Sequence, residues 1–161
     1  MAKGTNNAAA PMGAVAASTK IHDAIVNGAP GGIELFHGYT YSGHPIAAAA
    51  ACATIDLYER VQLFERAARM APLFGNAIHK LRGERHAINV RNLGLVGGVE
   101  LASREDAAGA RAYDVFVRCF EKGVLTRYTG DILAFSPPLI VEEAQLEKMF
   151  GTVAEVLRET E

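Results

Sequence analysis

The sequence predicts an α+β layer, an antiparallel sheet with helices on one face, and three observations predict it. Apolar residues recur at helical spacing from Pro45 to about Arg82; the period then shortens to strand alternation in two paired segments on either side of a further helix; and an amphipathic stretch closes the chain. At 161 residues, half of them hydrophobic and 21% charged, the chain is long and apolar enough for a real core. The net charge of −2, with no basic stripe, gives nucleic-acid binding no electrostatic support. No apolar run approaches the roughly 18 residues of a membrane span, and Met1 to Asn7 lacks the hydrophobic core of a signal peptide. Cys52 and Cys119 fall in helical patterns without metal-ligand spacing. They read as buried free thiols of a soluble cytoplasmic protein.

In chain order, Gly13 to Ala17 is small and apolar, as in a short buried strand. Ser18 or Thr19 caps a helix to about Val26, with Asn27-Gly28 ending it. A Gly/Pro loop over 29–32 and the segment 33–36 lead to His37-Gly-Tyr-Thr-Tyr-Ser-Gly-His-Pro45. Pro45 opens a helix to about Arg60 whose alanines allow close packing. A second helix, about 62–82, carries Leu63, Phe64, Ala67, Met70, Phe74, Ile78 and Leu81 as a core stripe. Pro72 either kinks it or starts a new helix, and a kink is expected.

Strands follow at Ala87–Arg91 and Leu95–Leu101 about a turn at Asn92–Gly94. The helix from Ala110 to Lys122 has Tyr113, Phe116, Val117 and Phe120 on one face and Gly123 as its C-terminal stop. A second strand pair, Val124–Tyr128 and Ile132–Phe135, turns about Thr129–Asp131. Ser136–Leu139 is extended, and a helix from Val141 to about Glu159 closes the chain.

Three places carry chemistry. The 37–45 loop sets hydroxyls and imidazoles between glycines at a helix start, where free amides and the dipole favour an anion such as phosphate. An ordinary helix-entry turn rich in capping residues has the same pattern, and His37 and His44 read equally as local turn residues. Lys3 precedes a Gly/Asn turn; its amine is a nucleophile if its setting lowers the pKa, or else a solvated charge. Arg127 lies within a strand pattern, where its planar fork suits a carboxylate, or else pairs with an internal acid such as Asp131.

The segments Ala2-Lys-Gly-Thr-Asn-Asn7 with Pro11-Met-Gly-Ala-Val15, HGYTYSGHP, and Val124-Leu-Thr-Arg-Tyr-Thr-Gly-Asp131 with Ser136-Pro-Pro-Leu-Ile140 resemble the C-terminal part of class III aminotransferases. These are pyridoxal-phosphate enzymes of fold type I, and the nearest group is the ω-amino acid (β-alanine):pyruvate transaminases. The resemblance runs from Ala2 to the last helix and rests on the joint order and spacing of the motifs.

It implies that Lys3 forms the Schiff base with pyridoxal phosphate, and that Thr40 reaches the cofactor phosphate of a neighbouring subunit. Arg127 would bind the substrate carboxylate and swing aside for an amine lacking one. Residues 1–60 would be the end of the large cofactor-binding domain with its interface helix, and 61–161 the C-terminal small domain. Ala8 departs from the family's usual glycine and is costly if the turn there needs positive φ. The family's partner of the pyridine nitrogen, its ring-stacking aromatic and most of its phosphate loop lie upstream of Lys3.

The expectation is therefore an aminotransferase C-terminal part, inactive alone, serving an amino donor and pyruvate within a homo-oligomer or with a missing N-terminal part. Apolar surface in residues 1–60, above all the alanine face of 46–53, would be left uncovered or find a partner. The alternative is a non-catalytic globular or oligomerisation module that keeps the fold.

Overall fold

The computed structural model describes residues 1–29, 31–33 and 35–161, which divide into two units, Met1–Gln62 and Leu63–Glu161. In the first unit Ser18 accepts a hydrogen bond from the Ile21 amide at 3.4 Å and starts α1 (Thr19–Gly28). Asn27 and Gly28 lie in its last turn rather than beyond it. The helix buries no residue, and Ile21, Ile25 and Val26 are exposed. Pro30 of the expected 29–32 loop and Glu34 of the 33–36 segment lie outside the described residues.

α2 spans Pro45–Arg60, the bounds expected from the sequence, with proline in the first turn, where its lack of an N–H costs nothing. Ala47 and Ala51, one turn apart, are its buried residues. Cys52, expected to be buried, is exposed. The strand expected at Gly13–Ala17 does not form: the segment is irregular and Val15 is 95% exposed. A strand needs a neighbour for its ladder hydrogen bonds, and among the described residues the first unit contains no strand to supply one.

The second unit begins with α3 (Leu63–His79), which passes through Pro72 without restarting. β1 (Ala87–Leu93) and β2 (Val96–Leu101) then form a hairpin. The turn is only Gly94-Leu95, tighter than expected, with Gly94 at φ +56°. α4 (Ala110–Glu121), β3 (Arg127–Thr129), β4 (Ile132–Phe135) and α5 (Glu143–Glu159) complete the unit. The sheet order is β1-β2-β4-β3, antiparallel throughout, so the two hairpins join through β2 and β4. β3 is shorter than expected. Pairing of Arg127 with Ala134 is its last, and Pro137, which has no amide, would face residue 124 if the ladder ran on.

Register sorts the two faces of the sheet. Val90, Val99, Leu133 and Tyr128 align in one row, and Arg91, Gly98, Ala134 and Arg127 align on the opposite face. Val99 and Leu133 are fully buried with Phe74, Ile78, Phe150, Val153 and Leu157 of the helices, so α3, α4 and α5 cover one face. The expected antiparallel sheet with helices on one face is what forms. A corner of the core is aromatic: Phe150 packs on Phe74 at 5.3 Å and on Phe135 at 5.2 Å between ring centroids.

α4 is turned relative to expectation. Ala112, Val115 and Cys119 face the core, while Tyr113 and Phe120 are exposed and Phe116 half-buried. Small residues let the helix approach the sheet, and the large rings sit at its flank, where Tyr113, Phe116 and Tyr128 pack together. Burial pushes the Cys119 thiol up to about 11, so it stays protonated and serves as packing.

The loops are tied down by charged side chains. Arg104 and Arg111 donate to the Glu161 carbonyl, and His86 Nε2 lies 3.2 Å from the Thr160 carbonyl oxygen. Burial, with Arg111, Arg85 and Arg104 nearby, lowers the His86 pKa despite that bond. Burial pushes the Asp114 carboxyl up, but bonds from Arg104 at 2.9 Å and Arg118 at 3.3 Å outweigh it and hold the pKa below the usual value.

Candidate functional site

The stretch around Lys3 is a strained turn held by hydrogen bonds. Lys3, Asn7 and Ala8 adopt φ of 58°, 53° and 60°, a region that residues bearing a Cβ rarely occupy. Met1 and Ala14 bond in both directions, amine to carbonyl at 2.5 Å and amide to carbonyl at 2.8 Å. Asn6, 3% exposed, donates from Nδ2 to the Ala10 carbonyl at 2.6 Å. Tyr58, near the end of α2, donates its hydroxyl to the Gly4 carbonyl at 2.7 Å. The Lys3 side chain is exposed to solvent.

Ala8 therefore stands where the turn does need positive φ. Ala8→Gly is expected to stabilise it by about 0.5–1 kcal/mol, the αL penalty less glycine's extra chain entropy. The check is two- to fivefold slower amide exchange at Ala9, whose N–H is bonded to the Asn6 carbonyl at 3.1 Å. Unchanged exchange would show that the turn carries no such strain.

Thr40 sits in a turn closed by the Ser42 amide donating to the Tyr39 carbonyl at 2.9 Å. Gly43, at φ +72°, redirects the chain into α2. His44 is the N-cap residue but makes no side-chain capping bond, which leaves the first-turn amides of Ile46 and Ala47 untaken by a cap. The His37 ring packs edge-on to Tyr39, with centroids 4.8 Å apart. A hollow of about 300 Å³ lies between this turn and Pro11–Gly13, with Thr40 and Ser42 in its wall; Lys3 does not line it.

Arg127 belongs to the second unit, on the edge strand of the sheet and on the face away from the helices. It borders a cleft of about 770 Å³ where residues 123–126 and 135–138 diverge over α5. Lys148 is the other cation of that wall, and among the described residues no carboxylate lines it. Asp131 is not the partner of Arg127. Its carboxylate instead accepts from the Ser103 hydroxyl and from the Gly109 amide at 2.8 Å, fixing the start of α4. Arg127 makes no ion pair among the described residues, so its fork is open to a carboxylate. Thus Lys3 and Thr40 stand in the first unit and Arg127 in the second.

Tyr58 carried no signal in the sequence. It ends an alanine-rich helix, and its contact with Gly4 spans 54 positions of the chain. Among the described residues no cluster of His, Cys, Asp and Glu is arranged to hold a metal ion, and no helix is long and apolar enough to cross a membrane.

Comparison with known proteins gives the lineage. The profile of the family Aminotransferase class-III matches residues 1–157. An omega-aminotransferase of Caulobacter vibrioides is 54% identical over 157 residues, which is 98% of this chain and 36% of that protein. A beta-alanine–pyruvate aminotransferase of Pseudomonas aeruginosa is 37% identical over 159 residues, again 98% and 36%. The chain thus spans about a third of the length of these curated relatives. A transaminase structure from directed evolution by ancestral reconstruction superposes with a TM-score of 0.88 at 33% identity, covering 98% of this chain and 36% of that one. A thermostable omega transaminase from Pseudomonas jessenii, a 6-fold mutant, gives 0.74 at 31% identity over 86% of this chain and 31% of its own. With a family profile along nearly its whole length and relatives that share both its sequence and its fold, this chain belongs to the class III aminotransferases, a pyridoxal-phosphate-dependent family.

Proposed function

We propose that this chain supplies the lysine, the interface threonine and the substrate arginine of an aminotransferase that moves an amino group from an ω-amino acid or amine to pyruvate. Residues 1–60 would then be the end of the large cofactor-binding domain with its interface helix, and 61–161 the small domain. The observation that carries the reading is the Thr40 turn: the hydroxyl-bearing Thr40 and Ser42 and the first turn of α2, which has no side-chain cap, border one hollow, a setting that suits a phosphate. That arrangement fits the phosphate of pyridoxal phosphate. The names of the relatives, omega-aminotransferase and beta-alanine–pyruvate aminotransferase, support the choice of substrates.

In this reading Lys3 holds the cofactor covalently through its amine. Its free amine would serve as the base that takes a proton from the substrate carbon and the acid that returns it. Bound pyridoxal phosphate supplies the electron sink for that proton removal. Thr40 contributes a hydroxyl donor to the phosphate of the neighbouring subunit's site, and the α2 dipole adds to it. Arg127 takes the carboxylate of pyruvate through a two-point contact, and it turns aside for a donor that has none. The chain alone does not complete this cycle, since it spans about a third of the relatives' length and the ring must be held and tuned by further groups.

The test is to incubate the chain with pyridoxal phosphate, reduce with borohydride and map the modified lysine by peptide mass. Attachment at Lys3, ahead of Lys20, Lys80, Lys122 and Lys148, is the expected result, and Lys3→Ala should abolish it. Pyruvate-dependent transamination should be absent until the N-terminal portion of a relative is supplied. Indiscriminate labelling of exposed lysines that persists with the N-terminal portion supplied would favour the non-catalytic module.

A further inference from the structure

We infer that Tyr58 is a positioning residue for Lys3. The inference rests on the reading of Lys3 given above and adds a residue that the chemistry alone would not reveal. Lys3 is a non-glycine residue in the left-handed region, at φ +58°, and such a conformation persists only where its surroundings over-determine it. One residue beyond Lys3, the Gly4 carbonyl accepts the Tyr58 hydroxyl at 2.7 Å and so anchors the chain directly after the strained position. A Cβ placed on Gly4 would stand 3.1 Å from the Tyr58 hydroxyl oxygen, so glycine at position 4 leaves room for the contact.

The geometry has a further consequence for α2. Pro45 and the Thr40 turn lie at its start, and Tyr58 lies in its last turn. One helix thus places the phosphate-suited hollow at one end and steadies the lysine's backbone from the other. At about 1.5 Å rise per residue, the two ends are too far apart for a flexible turn to couple them. A rigid helix can. Tyr58 therefore fixes where the Lys3 amine starts from and does no chemistry itself.

The experiment uses the full chain with pyridoxal phosphate, borohydride trapping, and the ratio of attachment at Lys3 to attachment at Lys20 as readout. Tyr58→Phe keeps the ring and removes the hydroxyl, and the ratio should fall about tenfold, the scale of one lost hydrogen bond. Gly4→Ala keeps the hydroxyl and crowds it, giving a fall in the same direction. The double variant should be no worse than the more affected single one, because both act through one bond; a general loosening of the fold would add instead. An unchanged ratio in Tyr58→Phe, with Lys3 still preferred in the parent, overturns the positioning role alone. No preference for Lys3 in the parent chain, even with the N-terminal portion of a relative supplied, overturns the reading of Lys3 and this inference with it. Should Tyr58→Phe fail to fold by circular dichroism, Gly4→Ala alone decides, and an unchanged ratio there overturns the role.

Discussion

Phe74→Ala is expected to cost the second unit about 3–5 kcal/mol. The ring is fully buried at the point where α3, the sheet and α5 meet, and Phe150 packs edge-on to it at 5.3 Å. Removing it forfeits the transfer energy of a phenyl group and leaves a cavity that the surrounding rings cannot close without losing their own contacts. Domains of this size are stable by only about 5–15 kcal/mol, so a large share of the folded population is at risk. Urea denaturation followed by circular dichroism measures it. A loss below about 1 kcal/mol would mean that the core relaxes into the space far more readily than close packing allows.

The second large effect comes from adding one carbon. A Cβ on Gly97 would lie 2.4 Å from Ile78 Cδ1 and 3.0 Å from the edge of the Phe74 ring. Gly97→Ala is therefore expected to destabilise by about 1–3 kcal/mol through overpacking. The closest clash is with one methyl group, and Ile78→Val removes that group at a cost of about 0.5–1.5 kcal/mol alone. The double variant should cost clearly less than the sum of the two, since each change makes room for the other. Strictly additive losses would show that the Gly97 contact is not what limits the site.

These effects explain which parts of the fold were legible in the residues. Helix bounds at Pro45–Arg60 could be read because proline and alanine act locally. Both hairpins could be read because Gly94 and Gly130 mark turns that need positive φ. The face of α4 was not legible. Its large aromatics suggested the core, but the sheet takes Ala112, Val115 and Cys119, and closeness of approach is a property of the packed pair rather than of the helix alone. The small apolar run at 13–17 misled for a related reason: composition suits a strand, but only a neighbouring strand makes one.

The candidate site divides the same way. Thr40 and its hollow follow from a loop of nine consecutive residues, and the structure adds that His44 leaves the helix amides uncapped. The strain at Ala8 was foreseeable as a condition, and φ +60° supplies the answer. Asp131 as a partner for Arg127 was a guess from proximity along the chain. The hairpin turns the carboxylate toward Ser103 and Gly109, on a segment far removed in sequence. Tyr58 lay beyond any local pattern.

The meeting of Phe74 with Phe150 sets a schedule for the nascent chain. The first helix of the second unit takes part of its lining from the last, so a ribosome that has finished α3, α4 and both hairpins has made a covered sheet whose helical layer is still open where α5 will lie. Synthesis proceeds at roughly 5–20 residues per second, and for the seconds before α5 emerges, Phe74 and Phe135 lack the Phe150 ring that closes their corner. A chaperone that shields apolar helix faces would find its client in that interval, and release would come when the final helix settles.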